Sequence, residues 1–247
     1  MPVIAPCRQN VISPFFSKII EWAFSGRLEI DLVLGGSCAL TEFYLSHRIP
    51  EDVDFFVGKK EDMKIFKAIL SQSYTIRHEE VIKQATDYKY VVEVEGRDVP
   101  VHCVFSSTSW AEAGIRRRYT VRLESISLHT LDFIGAAKLS FRRRDSPLDC
   151  TKKVLDLYFI RSSGVTVYDL LSVLRSRKVD PSNLTKWPYR RPCYDKEIIQ
   201  TISLKDISIH QVDIFVEQFK EEIREALREP WITASLEELI KSETPKP

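Results

Sequence analysis

Leu32-Val-Leu-Gly-Gly-Ser37 and, fifteen residues after that serine, Asp52-Val-Asp54-Phe-Phe-Val57 carry the strongest signals in the chain. The first stretch reads as a short apolar strand, Leu32–Leu34, running into two glycines and a serine, with a helix over Ser37–Ser46 behind them. Glycines at such a junction let the backbone come close to a ligand, and a helix N-terminus offers unpaired N–H groups to an anion. Ser37 suits that cradle or the helix N-cap, and the two roles are compatible. The second stretch reads as a strand over Asp52–Val57 with carboxylates at i and i+2. Side chains two apart leave a strand on one face, so Asp52 and Asp54 are placed to share a cation. The rest of that strand is apolar, and charge beside a core is costly unless a metal offsets it. Neither a Walker A loop nor a dinucleotide fingerprint is present.

Upstream, residues 1–13 carry Pro2 and Pro6 and are expected to lie irregularly on the surface. Ser13-Pro14 then opens a helix to about Ser25, with Phe15, Ile19, Trp22 and Ala23 on one face. Downstream, Pro50 breaks the chain before the acidic strand, and Glu61–Gln72 is an amphipathic helix. Strands are expected at Tyr74–His78, Tyr88–Val94 and Val99–Phe105, with Gly96-Arg97 as the hairpin turn. Helical periodicity then takes over, with helices at Leu128–Arg143, Lys152–Arg161 and Val167–Ser176. Ser208-x-x-Gln211 has the form of a capping box and starts a helix carrying Val212, Phe215, Val216, Phe219, Ile223 and Leu227 at core spacing. Ser235-x-x-Glu238 starts a last short helix. Consecutive strands favour a mixed sheet over a doubly wound parallel one.

Composition narrows the function. A net charge of +1 gives no global field for nucleic acid or membrane, so any basic site is a local patch. Cys7, Cys38, Cys103, Cys150 and Cys193 are odd in number and lack a C-x-x-C pair, which reads as reduced thiols rather than disulfides or zinc. With no signal h-region and no membrane-length apolar run, the expected location is the cytoplasm. A phosphate cradle beside a metal-holding acid pair is what transfer of a nucleotidyl group from a nucleoside triphosphate to an acceptor requires.

The run Gly35-Gly-Ser-Cys-Ala-Leu40, then His47-Arg48, then Asp52-Val-Asp54-Phe-Phe resembles the AbiEii/AbiGii-type nucleotidyltransferases. These are relatives of DNA polymerase β and include toxins of bacterial toxin–antitoxin pairs. Their second signature is a lysine on a helix, then an arginine, then a Lys-Asp-x-x-Asp-Leu run. Gly135-Ala-Ala-Lys138-Leu-Ser-Phe-Arg142 and Lys152-Lys-Val-Leu-Asp156-Leu-Tyr158 are similar to it. The two blocks cover roughly Leu32–Ile160 in the family's order.

The resemblance implies an α+β fold: a nucleotidyltransferase-like mixed sheet flanked by helices over 1–106, then a helical bundle over 107–247 that contributes Lys138 and Asp156 to the cleft. It implies Asp52 and Asp54 as ligands of Mg²⁺ or Mn²⁺, and Gly35, Gly36, Ser37 and Arg48 as the nucleoside triphosphate site. Lys138 would neutralise phosphate charge, with Asp156 positioning it or the metals. The acceptor would be an RNA 3′ end, such as that of tRNA, or a protein hydroxyl, and an antitoxin would be a partner. Two positions depart from the pattern. Lys153 stands where the second signature has its first acid, and His102 lies on the strand where such enzymes often carry a third carboxylate. His102 is a candidate general base or a structural histidine. These departures keep a second reading open, a nucleotide-binding or regulatory module without turnover. Arg142, Arg143 and Arg144, close to Lys138, are a candidate RNA contact, Arg116-Arg-Arg118 is a second basic cluster, and Trp187-Pro-Tyr-Arg-Arg191 mixes aromatics with arginines.

Overall fold

The computed structural model describes residues 4–83, 86–105, 118–139, 145–176 and 194–229. The chain divides into two compact units, one running Val3–Thr130 and the other taking in Leu131–Pro247. The first is built on a mixed sheet, the second on helices, so the fold class is α+β.

In the first unit, helix α1 (Pro14–Ala23) begins where the Ser13 hydroxyl accepts from Phe16 N–H and proline occupies the first turn. Strand β1 (Leu32–Gly35) is wholly buried and runs directly into helix α2 (Gly36–Leu40), which continues as a π-helical turn over Thr41–Leu45. Strand β2 (Val53–Val57) alternates buried and half-buried residues. Helix α3 (Lys60–Ser73) follows, then the antiparallel strands β3 (Thr75–Lys83), β4 (Asp87–Val94) and β5 (Arg97–Phe105). A last hairpin, β6 (Thr120–Leu123) and β7 (Ile126–His129), completes a seven-stranded sheet of order β3-β4-β5-β2-β1-β7-β6. β1 pairs antiparallel with β2, whereas β2–β5 and β1–β7 are parallel.

That order puts the two stretches quoted above side by side at the centre. Gly35 pairs with Asp54, so the strand-to-glycine junction and the acidic residue are direct neighbours. One face of β2 and β5 belongs to the core, where Phe55 packs on Phe66 of α3 with ring centroids 5.5 Å apart and Cys103 lies 3.7 Å from Met63 sulfur to sulfur. Alternation sends Asp54 and its parallel neighbour His102 to the opposite face.

In the second unit, α4 (Leu131–Lys138), α5 (Pro147–Ser162), α6 (Val167–Ser176), α7 (Lys196–Ile202) and α8 (Ile209–Ala226) supply the core. Tyr158 of α5 meets Phe215 of α8 edge-on at 5.5 Å, and Arg161 makes a two-pronged ion pair with Glu222 at 3.0 Å. Ser208 N–H donates to Gln211 Oε1 at 3.2 Å, the reciprocal half of a capping box at the start of α8.

Several expected boundaries move. Ile126–His129 is a strand, not the start of a helix; Leu128 pairs with Leu34 of β1, and the helix begins at Leu131. β6 and β7 lie beyond residue 106 and belong to the first unit's sheet. α5 starts at Pro147, because Ser146 and Asp149 cap it reciprocally. β3 runs to Lys83 because it pairs with β4 along its length, and the hairpin turn is Glu95-Gly96, both with positive φ. Ser37 lies inside the first turn of α2, and Gly35 holds the N-cap position. Helix α7 was not expected; the Asp195 carboxylate caps it by accepting from Glu197 and Ile198 N–H. The described segment before α1 is irregular and lies at the surface, as expected, and it is tied down: Cys7 N–H donates to Phe43 O, and the Asn10, Val11 and Ile12 amides donate to Glu42. Among the described residues no helix is long and apolar enough to cross a membrane, and Cys7, Cys38, Cys103 and Cys150 are free thiols.

Candidate functional site

The site is assembled from a chain reversal and two strands. Gly36 has φ +61°, a conformation that an L side chain rarely adopts, and the Asp54 carboxylate sits where that side chain would begin. A Cβ on Gly36 would lie 1.7 Å from Asp54 Oδ2, and one on Gly35 would lie 2.6 Å from both His129 Nδ1 and the Phe56 ring. Both glycines are therefore demanded by close approach. Asp52, one residue ahead of β2, Asp54 and His102 each place a ligand atom within 4.8 Å of the others, all three half-buried. Two carboxylates and an imidazole on a common patch form a donor set that divalent cations accept, so the residues present fit the metal that the resemblance implies.

His102 is held from both sides. Its Nδ1 lies 3.0 Å from Asp54 Oδ1, and its Nε2 hydrogen-bonds to Asp87 Oδ1. Burial acts against its protonation, but the hydrogen bonds and charges of Asp54 and then Asp87 outweigh it and hold its pKa above the ordinary histidine value. Beneath the site, Cys38 is fully buried; burial first, then the charges of Asp54, Asp52 and Glu42, push its thiol well above the usual range. A thiol that stays protonated there is packing, not a nucleophile.

Ser37 is buried in the first turn of α2, and His47 is buried as well. Arg48 is also buried; its carbonyl accepts from Thr41 Oγ1 at 2.8 Å and its Nη1 donates to Ile49 O at 3.3 Å. In the helical unit, Lys138 Nζ lies 2.9 Å from Oδ2 of Asp156, whose side chain is fully buried. Lys153 pairs with Asp145 at 2.5 Å. Arg116, Arg117, Arg142, Arg143, Arg144, Cys193, the Trp187–Arg191 run and the Ser235 helix lie outside the described residues.

Asp87 was not anticipated. The expected strand started at Tyr88 and left this carboxylate in a loop. The β4–β5 register pairs Lys89 with His102, which puts Asp87 on the same face two positions along. The two-residue Glu95-Gly96 turn was the available signal, since it fixes that register from the sequence.

No protein-family model matches the chain, and no curated protein matches it. Among solved structures, a nucleotidyltransferase candidate from H. pylori is similar at 17% identity and a TM-score of 0.46, covering 93% of this chain and 97% of its own. JHP933 from Helicobacter pylori is similar at 16% identity and a TM-score of 0.46, covering 94% and 96%. The polyadenylate synthase of Megavirus is similar at 14% identity and a TM-score of 0.32, over 56% of this chain and 29% of its own. At this level of likeness the chemistry has to be read from the side chains.

Proposed function

We propose that this chain is a divalent-metal-dependent nucleotidyltransferase centred on Asp52, Asp54 and the Gly35–Ser37 turn. The observation that carries the reading is the Asp54 carboxylate seated directly on Gly36, with Asp52 and His102 converging on it. Asp52 and Asp54 would hold Mg²⁺ or Mn²⁺. When bound, such an ion neutralises triphosphate charge and orients an acceptor hydroxyl toward the α-phosphate. The two glycines make room for Asp54, His129 and Phe56 to pack against the turn, and the resemblance gives the Gly35–Ser37 turn the task of holding the triphosphate. The resemblance gives Lys138, steadied by Asp156, the task of balancing phosphate charge, and makes an RNA 3′ end or a protein hydroxyl the acceptor. Asp54→Asn should cut transfer of label from an α-labelled triphosphate into RNA or lysate protein by roughly a hundred- to a thousandfold while the melting transition is kept. Unchanged labelling in that variant would reject the assignment.

One observation favours a second reading, a nucleotide-binding module without turnover. His102 stands beside Asp54 with both ring nitrogens on carboxylates. Calorimetric binding of triphosphate with no pyrophosphate release would select that reading.

A further inference from the structure

We propose that His102 is a nitrogen ligand of the divalent cation, held in place by Asp87, and that this pair sets the site's preference for Mn²⁺ over Mg²⁺. The inference rests on the reading of Asp52 and Asp54 as metal carboxylates and adds to it the identity of the ion. Three observations carry it. His102 Nδ1 lies 3.0 Å from Asp54 Oδ1, about the separation of two adjacent donors on one small cation with bonds near 2.1 Å. One ligand atom from each of His102, Asp52 and Asp54 lies within 4.8 Å of the others, close enough for a single ion to draw the three together. The other ring nitrogen, Nε2, is engaged by Asp87 Oδ1. A metal-bound histidine characteristically gives its second N–H to a carboxylate, which fixes the tautomer and ring orientation and raises the basicity of the bound nitrogen.

The β4–β5 ladder builds this arrangement. Asp87 opens β4 on the same face as Lys89, which pairs with His102, and His102 in turn pairs with Asp54. Carboxylate, imidazole and carboxylate follow one another across three strands of a rigid sheet, with Asp52 at the near end. Such a set differs chemically from three carboxylates. Mg²⁺ strongly favours oxygen donors and holds its water, whereas Mn²⁺ and later first-row ions accept imidazole nitrogen. Replacing one oxygen ligand by nitrogen therefore costs Mg²⁺ more than Mn²⁺. In this role Asp87 is a positioning residue, and no lone pair of His102 is left for the acceptor hydroxyl.

The test is metal binding to the full-length chain without nucleotide, by calorimetry with Mn²⁺ and with Mg²⁺ and by pulsed electron paramagnetic resonance on the Mn²⁺ complex. The wild type should show nitrogen coupling from a directly bound imidazole, and His102→Asp should lack it. His102→Asp should also narrow the Mn²⁺/Mg²⁺ affinity ratio by about tenfold or more, while still binding divalent ions. Asp87→Asn should weaken Mn²⁺ binding by about 10- to 100-fold with the nitrogen coupling retained. Far-UV circular dichroism of each variant controls for folding, and His102→Gln serves as the alternative should the aspartate variant be unfolded. An Mn²⁺ complex without nitrogen coupling, or a ratio unmoved by the His102 variants, overturns the proposal and leaves the transferase reading standing. Absence of any divalent binding overturns both.

Discussion

Gly36 joins the conformation of one residue to the position of another. Its φ of +61° disfavours any side chain, and the Asp54 carboxylate occupies the space a methyl would need. Gly36→Ala therefore forces two adjustments at once. Backbone strain of about 1–2 kcal/mol should appear as a lowered urea midpoint. Displacement of Asp54 should appear separately, as loss of divalent-metal affinity larger than the stability change accounts for. A variant that keeps full metal affinity would show that the contact between turn and carboxylate is incidental. The twin glycines, Asp52 and Asp54 were legible in the sequence because each announces itself by residue type and short-range spacing. The partnership of His102 with Asp87 was missed, because it depends on which residues a hairpin brings opposite each other, and a turn placed at Gly96-Arg97 gives a different register. That is information about register, which one strand read alone does not contain.

At the scale of elements, the least expected feature is the π turn behind α2. It carries Glu42, whose side chain is 1% exposed, and turns it onto the amides of Asn10 and Val11 at 2.9 Å and Ile12 at 3.2 Å. Asn10 has φ 58°, which asparagine tolerates better than most residues, and so lets those amides converge. A buried carboxylate receiving three N–H groups is a costly arrangement to interrupt. Glu42→Ala should lower stability by about 3 kcal/mol and Glu42→Gln by less, read from urea denaturation. Residues 1–13 read as an irregular surface segment, and nothing local in the sequence marks Glu42 as the anchor of its described part. The start of α5 shows the opposite case, a signal present but overlooked. Ser146-Pro147-x-Asp149 has a cap, a first-turn proline and an acid at the right spacing. The Ser146 hydroxyl, first, and its backbone N–H hold the Asp149 carboxyl below the usual carboxylate value. A depressed value means that this stabilisation is present above the unfolded pKa, near 4, and is lost as pH falls through the folded one. Ser146→Ala should therefore cost about 1 kcal/mol at neutral pH, the size set by caps of this kind because the pair is solvent-screened. Its deficit against the wild type should narrow in melts below about pH 4.

For the whole molecule, the telling feature is that the centre of the sheet is closed by its last strand. β1 is buried throughout, and its free side is covered by β7, where Leu34 pairs with Leu128 across more than ninety intervening residues. From the sequence, strand character fades after Phe105, which invites a boundary at residue 106. Ile126-Ser-Leu-His129 is too short to read as a strand, and only its pairing with a distant partner makes it one. A chain ending at residue 106 would leave β1 as a bare apolar edge, with Leu34 and Val33 open to water and Phe56 without the His129 ring that lies 4.5 Å away. A chain ending at residue 130 keeps the seven strands and every donor of the candidate metal site. The longer fragment should melt in one cooperative step and bind Mn²⁺, while the shorter one should be aggregated or unfolded by circular dichroism. Equal behaviour of the two fragments would mean that β7 only decorates the sheet. A cooperative longer fragment would instead show that the hairpin at its end is what makes the site's scaffold rigid.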